Sequence, residues 1–129
     1  VGHVMMTQAL MPLLKRKSKK EPVSKVVSLT ARVGSISDNR LGGWYSYRMS
    51  KAGMNMFTKT LSLEAKRHNC VVVSMHPGTT DTGLSKPFQA NVSPDKLFTT
   101  EYSVSQMLAV VRGLDLTHAG GFYAYDGSS

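Results

Sequence analysis

Two short runs, KVVSLT (Lys25 to Thr30) and CVVVSM (Cys70 to Met75), stand on either side of a long stretch from about Trp44 to His68. Both runs are apolar and β-branched with little polar alternation, as strands covered on both faces are. The stretch between them is rich in Met, Ala, Leu, Lys and Glu, which favour a helix. Strands joined through such a helix pair in parallel, with the helix lying on a face of the sheet. This one pattern commits the chain to an α/β architecture.

The remaining segments extend it. A helix is expected over about residues 2–17, where Val1, Val4, Met5, Leu10, Leu13 and Leu14 recur near helical spacing, and Pro22 limits its continuation. Another is expected over about 100–114, started by Thr99 or Thr100 with Glu101 in its first turn. GGFYAYDG (Gly120 to Gly127) reads as a last strand, and the polar stretch from His76 to Lys96 as a loop. The order α-β-α-β-α-β gives a doubly wound parallel sheet of about three strands with three main helices. Doubly wound sheets usually have five or more strands, so one edge is expected to be bare. The chain opens on Val1 inside a helical pattern with no cap before it. Residues 1–129 therefore read as the C-terminal part of a longer domain.

Composition narrows the partners. The 129 residues hold a single cysteine, Cys70, which excludes an internal disulfide framework and fits a reducing, cytoplasmic setting. No apolar run is long enough to span a bilayer. The net charge is +8, much of it in KRKSKK (Lys15 to Lys20). That run is expected to be a solvated loop after a helix, its cations favoured at the negative helix end. It has no aromatic residue for a base to stack on, so no nucleic-acid partner is expected. His3, His68, His76 and His118 are scattered, and no metal site is expected.

Tyr47 and Lys51 lie four places apart near the start of the long helix, and therefore on one face. A cation one turn from a phenol favours the phenolate, which suits a proton donor and acceptor. Alone, Tyr-x-x-x-Lys recurs by chance. Here it is preceded by a Ser-containing loop, followed by AGMNMFTKTLSLE, and followed after the next strand by HPGTTDT. Together these motifs resemble the short-chain dehydrogenase/reductase family, and ARVGSISDNRLGGWYSYRMSKA is most similar to its C-factor or sniffer-like carbonyl reductase branch. The resemblance covers essentially the whole chain but only the C-terminal half of the family's Rossmann-like domain.

The resemblance implies an NAD(P)-dependent oxidoreductase acting on a small-molecule carbonyl or alcohol, with NADP or NAD as cofactor. It implies that Tyr47 is the general acid/base and that Lys51 supports it and holds the cofactor ribose. A family serine polarises the substrate carbonyl. Ser35 fits it by its distance from Tyr47; by position at the strand end it falls near Thr30 and Ala31, of which only Thr30 has a hydroxyl. Tyr47, Lys51, Pro77, Gly78, Thr79, Thr80 and Thr82 are implied to hold the nicotinamide end. The family's glycine-rich phosphate loop is absent from Val1 to Ser129, so the chain alone is expected to bind cofactor poorly. Trp44 and Tyr45 are candidates to line the substrate pocket, and Phe88 to act in a lid. Met49, Met54 and Met56 fit a core or a subunit contact, and the family implies a homo-oligomer through the long helix. A second possibility is a non-enzymatic signalling protein of the same fold.

Overall fold

The computed structural model describes all 129 residues. Its elements in chain order are α1 (Gly2–Leu14), β1 (Ser24–Leu29), α2 (Tyr45–Ala65), β2 (Cys70–His76), β3 (Thr79–Thr80), β4 (Leu97–Phe98), α3 (Thr100–Gly113) and β5 (Phe122–Ala124). The main sheet has the order β1-β2-β5 and is wholly parallel. β1 and β2 pair from Ser24 with Cys70 to Leu29 with Met75, and β2 meets β5 from Ser74 with Phe122 to His76 with Ala124. As expected of an unalternating apolar run, β2 is central and buried from Cys70 to Met75.

Alternate side chains of β2 feed two cores. Cys70 and Val72 pack with Ala65, Met11, Leu14, Val26 and Leu61, on the face covered by α1 and α2. Val71 and Val73 pack with Leu114, Val110, Val111 and Tyr123, on the face covered by α3. The result is three layers with helices on both sides. α2 meets the sheet through small residues, since its only buried side chains are Thr58, Ser62 and Ala65. No helix is long and apolar enough to cross a membrane.

The element ends differ from expectation for local reasons. α1 stops at Leu14, three residues early, because Lys15 adopts extended dihedrals and the Arg16 N–H is drawn to the His68 carbonyl at 3.0 Å. α2 ends at Ala65 and passes through a 3-10 turn to Asn69, whose left-handed φ of 52° redirects the chain into β2. α3 is capped by Thr99, whose hydroxyl accepts from the Tyr102 N–H. β5 is only three residues long because a turn follows it, closed by Gly127 N–H to Ala124 O.

The expected loop from His76 to Lys96 is structured. β3 and β4 form a second, two-stranded parallel sheet, with 3-10 turns at Lys86–Asn91 and Pro94–Lys96 between them. The count of about three strands therefore holds for the main sheet and misses this small one. Gly78 explains the fold-back: its φ is +73°, and a Cβ there would come within 2.7 Å of the Phe98 ring of β4.

Candidate active site

The C-terminal ends of β1, β2 and β5 lie at one end of the sheet, where open α/β folds place their ligands. The N-terminal turn of α2 is brought to this end by the segment after β1. Gly42, Gly43 and Trp44 form a left-handed run, with φ of 67°, 70° and 55°. Glycine adopts this freely; for Trp44 it costs about 1–2 kcal/mol. Arg48 gathers the run: its Nε donates to Gly43 O at 2.8 Å, Nη2 to Gly42 O at 3.0 Å and Nη1 to Val33 O at 3.2 Å. Sequence reasoning did not single out Arg48. The signal available was a cation in a helix first turn, where the helix dipole disfavours it, directly behind a Gly-Gly pair.

Tyr47 and Lys51 share a face of α2 as their spacing requires. The Lys51 ammonium sits 5.6 Å from the centre of the Tyr47 ring. Its one hydrogen bond, to Leu29 O at the end of β1, is long at 3.5 Å, so most of its donor capacity is unspent. Tyr47 is 37% exposed and packs edge-on to Trp44 at 5.9 Å. Trp44 in turn packs on Phe88, ring centres 4.6 Å apart and planes tilted by 50°, which joins the segment after β3 to the start of α2. Tyr45 is 82% exposed.

The two candidate hydroxyls have different fates. Thr30 is buried, and its hydroxyl is directed at the Lys51 carbonyl at 3.5 Å. Ser35 is half-buried, 3.3 Å from the Ser37 hydroxyl, and borders an open cavity of about 250 Å³ with Arg32, Asp38, His76 and Phe122. Tyr47 and Lys51 do not line that cavity. Gly34, just before Ser35, is pressed against α2 at Lys51. Burial and then the Arg32 charge hold the His76 imidazole below its usual range; Asp126 and Asp38 oppose them. His76 opens the HPGTTDT motif at the end of β2, but sequence reasoning gave it no role of its own in a site.

After β2, the Pro77 carbonyl accepts the buried Ser103 hydroxyl of α3 at 2.7 Å. Ser85 Oγ donates to Thr80 O at 2.6 Å, and the Thr82 N–H donates to Ser85 Oγ at 3.1 Å. Gln89 braces the same corner through Asp81 and Ser85. Thr79 and Thr82 are exposed, and Pro77, Gly78 and Thr80 are half-buried.

Residues 1–93 match the model of the short chain dehydrogenase family. The chain belongs to the short-chain dehydrogenase family. Among its curated relatives is C-signal of Myxococcus xanthus, 34% identical over 128 residues that cover 99% of this chain and 70% of that protein. Other curated relatives, such as a Schizosaccharomyces pombe oxidoreductase of 33% identity, are matched over 53% of their length. Among solved structures, carbonyl reductase Sniffer of D. melanogaster superposes with a TM-score of 0.85 at 28% identity, over 98% of this chain and 51% of that one. An NADPH-bound carbonyl reductase from chicken fatty liver gives 0.81 at 30% identity, with the same coverage. The chain thus spans about half the length of most of these short-chain dehydrogenase relatives, and the three-layer sheet is the part it shares with them.

Proposed function

We propose that the protein carrying this chain is an NAD(P)-dependent oxidoreductase that interconverts a small-molecule carbonyl and its alcohol. The observation that carries this is the placing of the Lys51 ammonium over the ring of a partly exposed tyrosine one turn away, at the ligand-binding end of the sheet. Membership of the family and similarity to carbonyl reductases support it.

The residues present fit the ribose and nicotinamide end of such a cofactor. Lys51 has free donors for ribose hydroxyls, and Gly78 turns the chain at the end of β2 so that backbone groups of 77–80 line the same end of the molecule. They do not include a glycine-rich strand–helix turn for a pyrophosphate. When bound, the cofactor supplies or accepts hydride. Tyr47 gives its phenolic proton to the carbonyl oxygen, or takes it back from the alcohol. The Lys51 charge stabilises the phenolate left behind. Ser35 is the hydroxyl available to orient the substrate oxygen, because Thr30 is buried against α2 and Ala31 has none.

Tyr47→Phe in the active protein tests this. Carbonyl-dependent NAD(P)H oxidation should fall by about 10²–10⁴-fold with the fold intact; unchanged turnover would refute the role. The chain alone should barely change its Trp44 fluorescence on addition of NADPH, and tight binding would show that no further segment is needed. Similarity to C-signal favours a second reading, a signalling protein of this fold. A signalling role that survives Tyr47→Phe while reduction is lost would favour it. Tyr45, Met49, Met56 and Leu63 are exposed along one face of α2 at near-heptad spacing, which suits a contact with a second copy.

A further inference from the structure

At the opposite end of the sheet, two basic segments far apart in sequence meet. The Arg16 N–H donates to His68 O at 3.0 Å, clamping the loop after α1 to the 3-10 turn after α2. This sets Lys15 and Arg16, at the head of the run that continues to Lys20, against the Lys66–His68 turn, and Lys15, Arg67 and Glu64 share one cleft there. None of these cations is in an ion pair: the two in the structure are Arg32 with Asp38 and His118 with Asp115. The Glu21 carboxylate is engaged by the backbone N–H groups of Lys17 and Ser18. Between the helix ends lies an open cleft of about 150 Å³, walled by Lys15, Arg67, His68 and Glu64 over an apolar floor that includes Leu61 and Ala65.

We propose that this cleft is a binding site for a phosphoryl anion, separate from the proposed catalytic end. A folded chain normally spreads or pairs its cations; here they are unpaired and held together by a backbone clamp, so a dianion relieves their mutual repulsion. Arg67 Nε donates to His68 Nε2 at 3.2 Å, a bond that favours the neutral imidazole because Nε2 must be unprotonated to accept it. Its affinity for protons is lowered by burial first, then by Lys15 and Arg67. An anion seated among these groups reverses the two charge effects, while Glu64 on the rim opposes its entry. The chemistry is that of a free phosphate or a phospholipid headgroup; a nucleic-acid duplex needs a longer track of cations.

The test uses the whole chain at low salt, with pyrophosphate as probe and the four histidine ring signals as reporters. The expected result is a saturable shift confined to His68, whose titration midpoint moves upward, with His3, His76 and His118 unmoved. Lys15→Gln/Arg67→Gln should weaken binding at least about tenfold. Lys19→Gln/Lys20→Gln, which removes equal charge outside the cleft, should weaken it less than about threefold. Equal losses in the two variants, or no His68 shift, would overturn the site in favour of a diffuse field. Flotation with phosphatidylglycerol vesicles, competed by pyrophosphate, would assign the anion to a headgroup; pyrophosphate binding without flotation would assign it to a free phosphate. Binding to duplex DNA that pyrophosphate does not displace, with His68 unshifted, would replace the proposal by a nucleic-acid surface.

Discussion

Gly34 lies directly against Lys51. A Cβ built on Gly34 would come 2.7 Å from the Lys51 carbonyl carbon, 2.8 Å from its Cβ and 3.0 Å from the Ala52 nitrogen. Two of these are helix backbone atoms, which cannot step aside as a flexible side-chain tip can. The loop bearing Ser35 and the helix bearing Tyr47 are therefore in contact through a residue with no side chain.

Gly34→Ala follows from that contact. It should destabilise the fold by about 1–3 kcal/mol, as overpacking does, measured by urea unfolding. It should also lower carbonyl reduction in the active protein by more than the stability loss explains, because the loop moves off α2 at Lys51.

Arg48 is the second brace. Arg48→Lys keeps the charge but cannot reach Val33, Gly42 and Gly43 together. Stability should fall by about 1 kcal/mol or more, and proteolysis should cut first near Gly42-Gly43. An unchanged proteolytic pattern would show that the left-handed run holds itself.

Stability should depend on pH through His76 and His68. Both imidazoles have lowered proton affinity in the folded state, by burial first in each case. The unfolded chain then binds more protons below the ordinary histidine pKa of 6.5. Their contribution is therefore fully present above that value and lost as pH falls through it toward the folded-state midpoints. Urea midpoints measured from pH 7.5 to 5 should decline, and His76→Gln should flatten the decline.

The exposed stripe on α2 makes a prediction about assembly. Met56→Glu should abolish self-association detected by sedimentation velocity while leaving the circular dichroism of the chain unchanged. A chain that sediments as a monomer before substitution removes the basis for that contact.

The three-layer sheet was legible because β2 is apolar on both faces, and a buried central strand leaves no other arrangement for the helices it joins. That Tyr47 and Lys51 share a face was legible because four residues in a helix is a fixed geometry. The small sheet of β3 and β4 was not, since two-residue strands in a polar stretch show no period; their pairing depends on Phe98 meeting Gly78, a contact between distant residues. Thr30 illustrates the same limit: its hydroxyl was a candidate by type, and only packing shows it turned to the Lys51 carbonyl. Arg48 and the clustering of basic residues around His68 likewise depend on which loops touch.

The fully buried side chains by which α2 rests on the sheet are small, Thr58, Ser62 and Ala65, with Leu61 half-buried beside them, and Thr58 Oγ1 and Ser74 Oγ both lack a hydrogen-bond partner in the seam. Few large side chains of the helix interlock with the strands beneath it. The helix is also fastened at its tips, by the Arg48 guanidinium at one and by the Asn69 junction, whose side-chain amide donates to Glu21 O at 2.9 Å, at the other. A change at Asn69, some twenty residues downstream of Tyr47, therefore bears on the seating of the helix that carries the phenol.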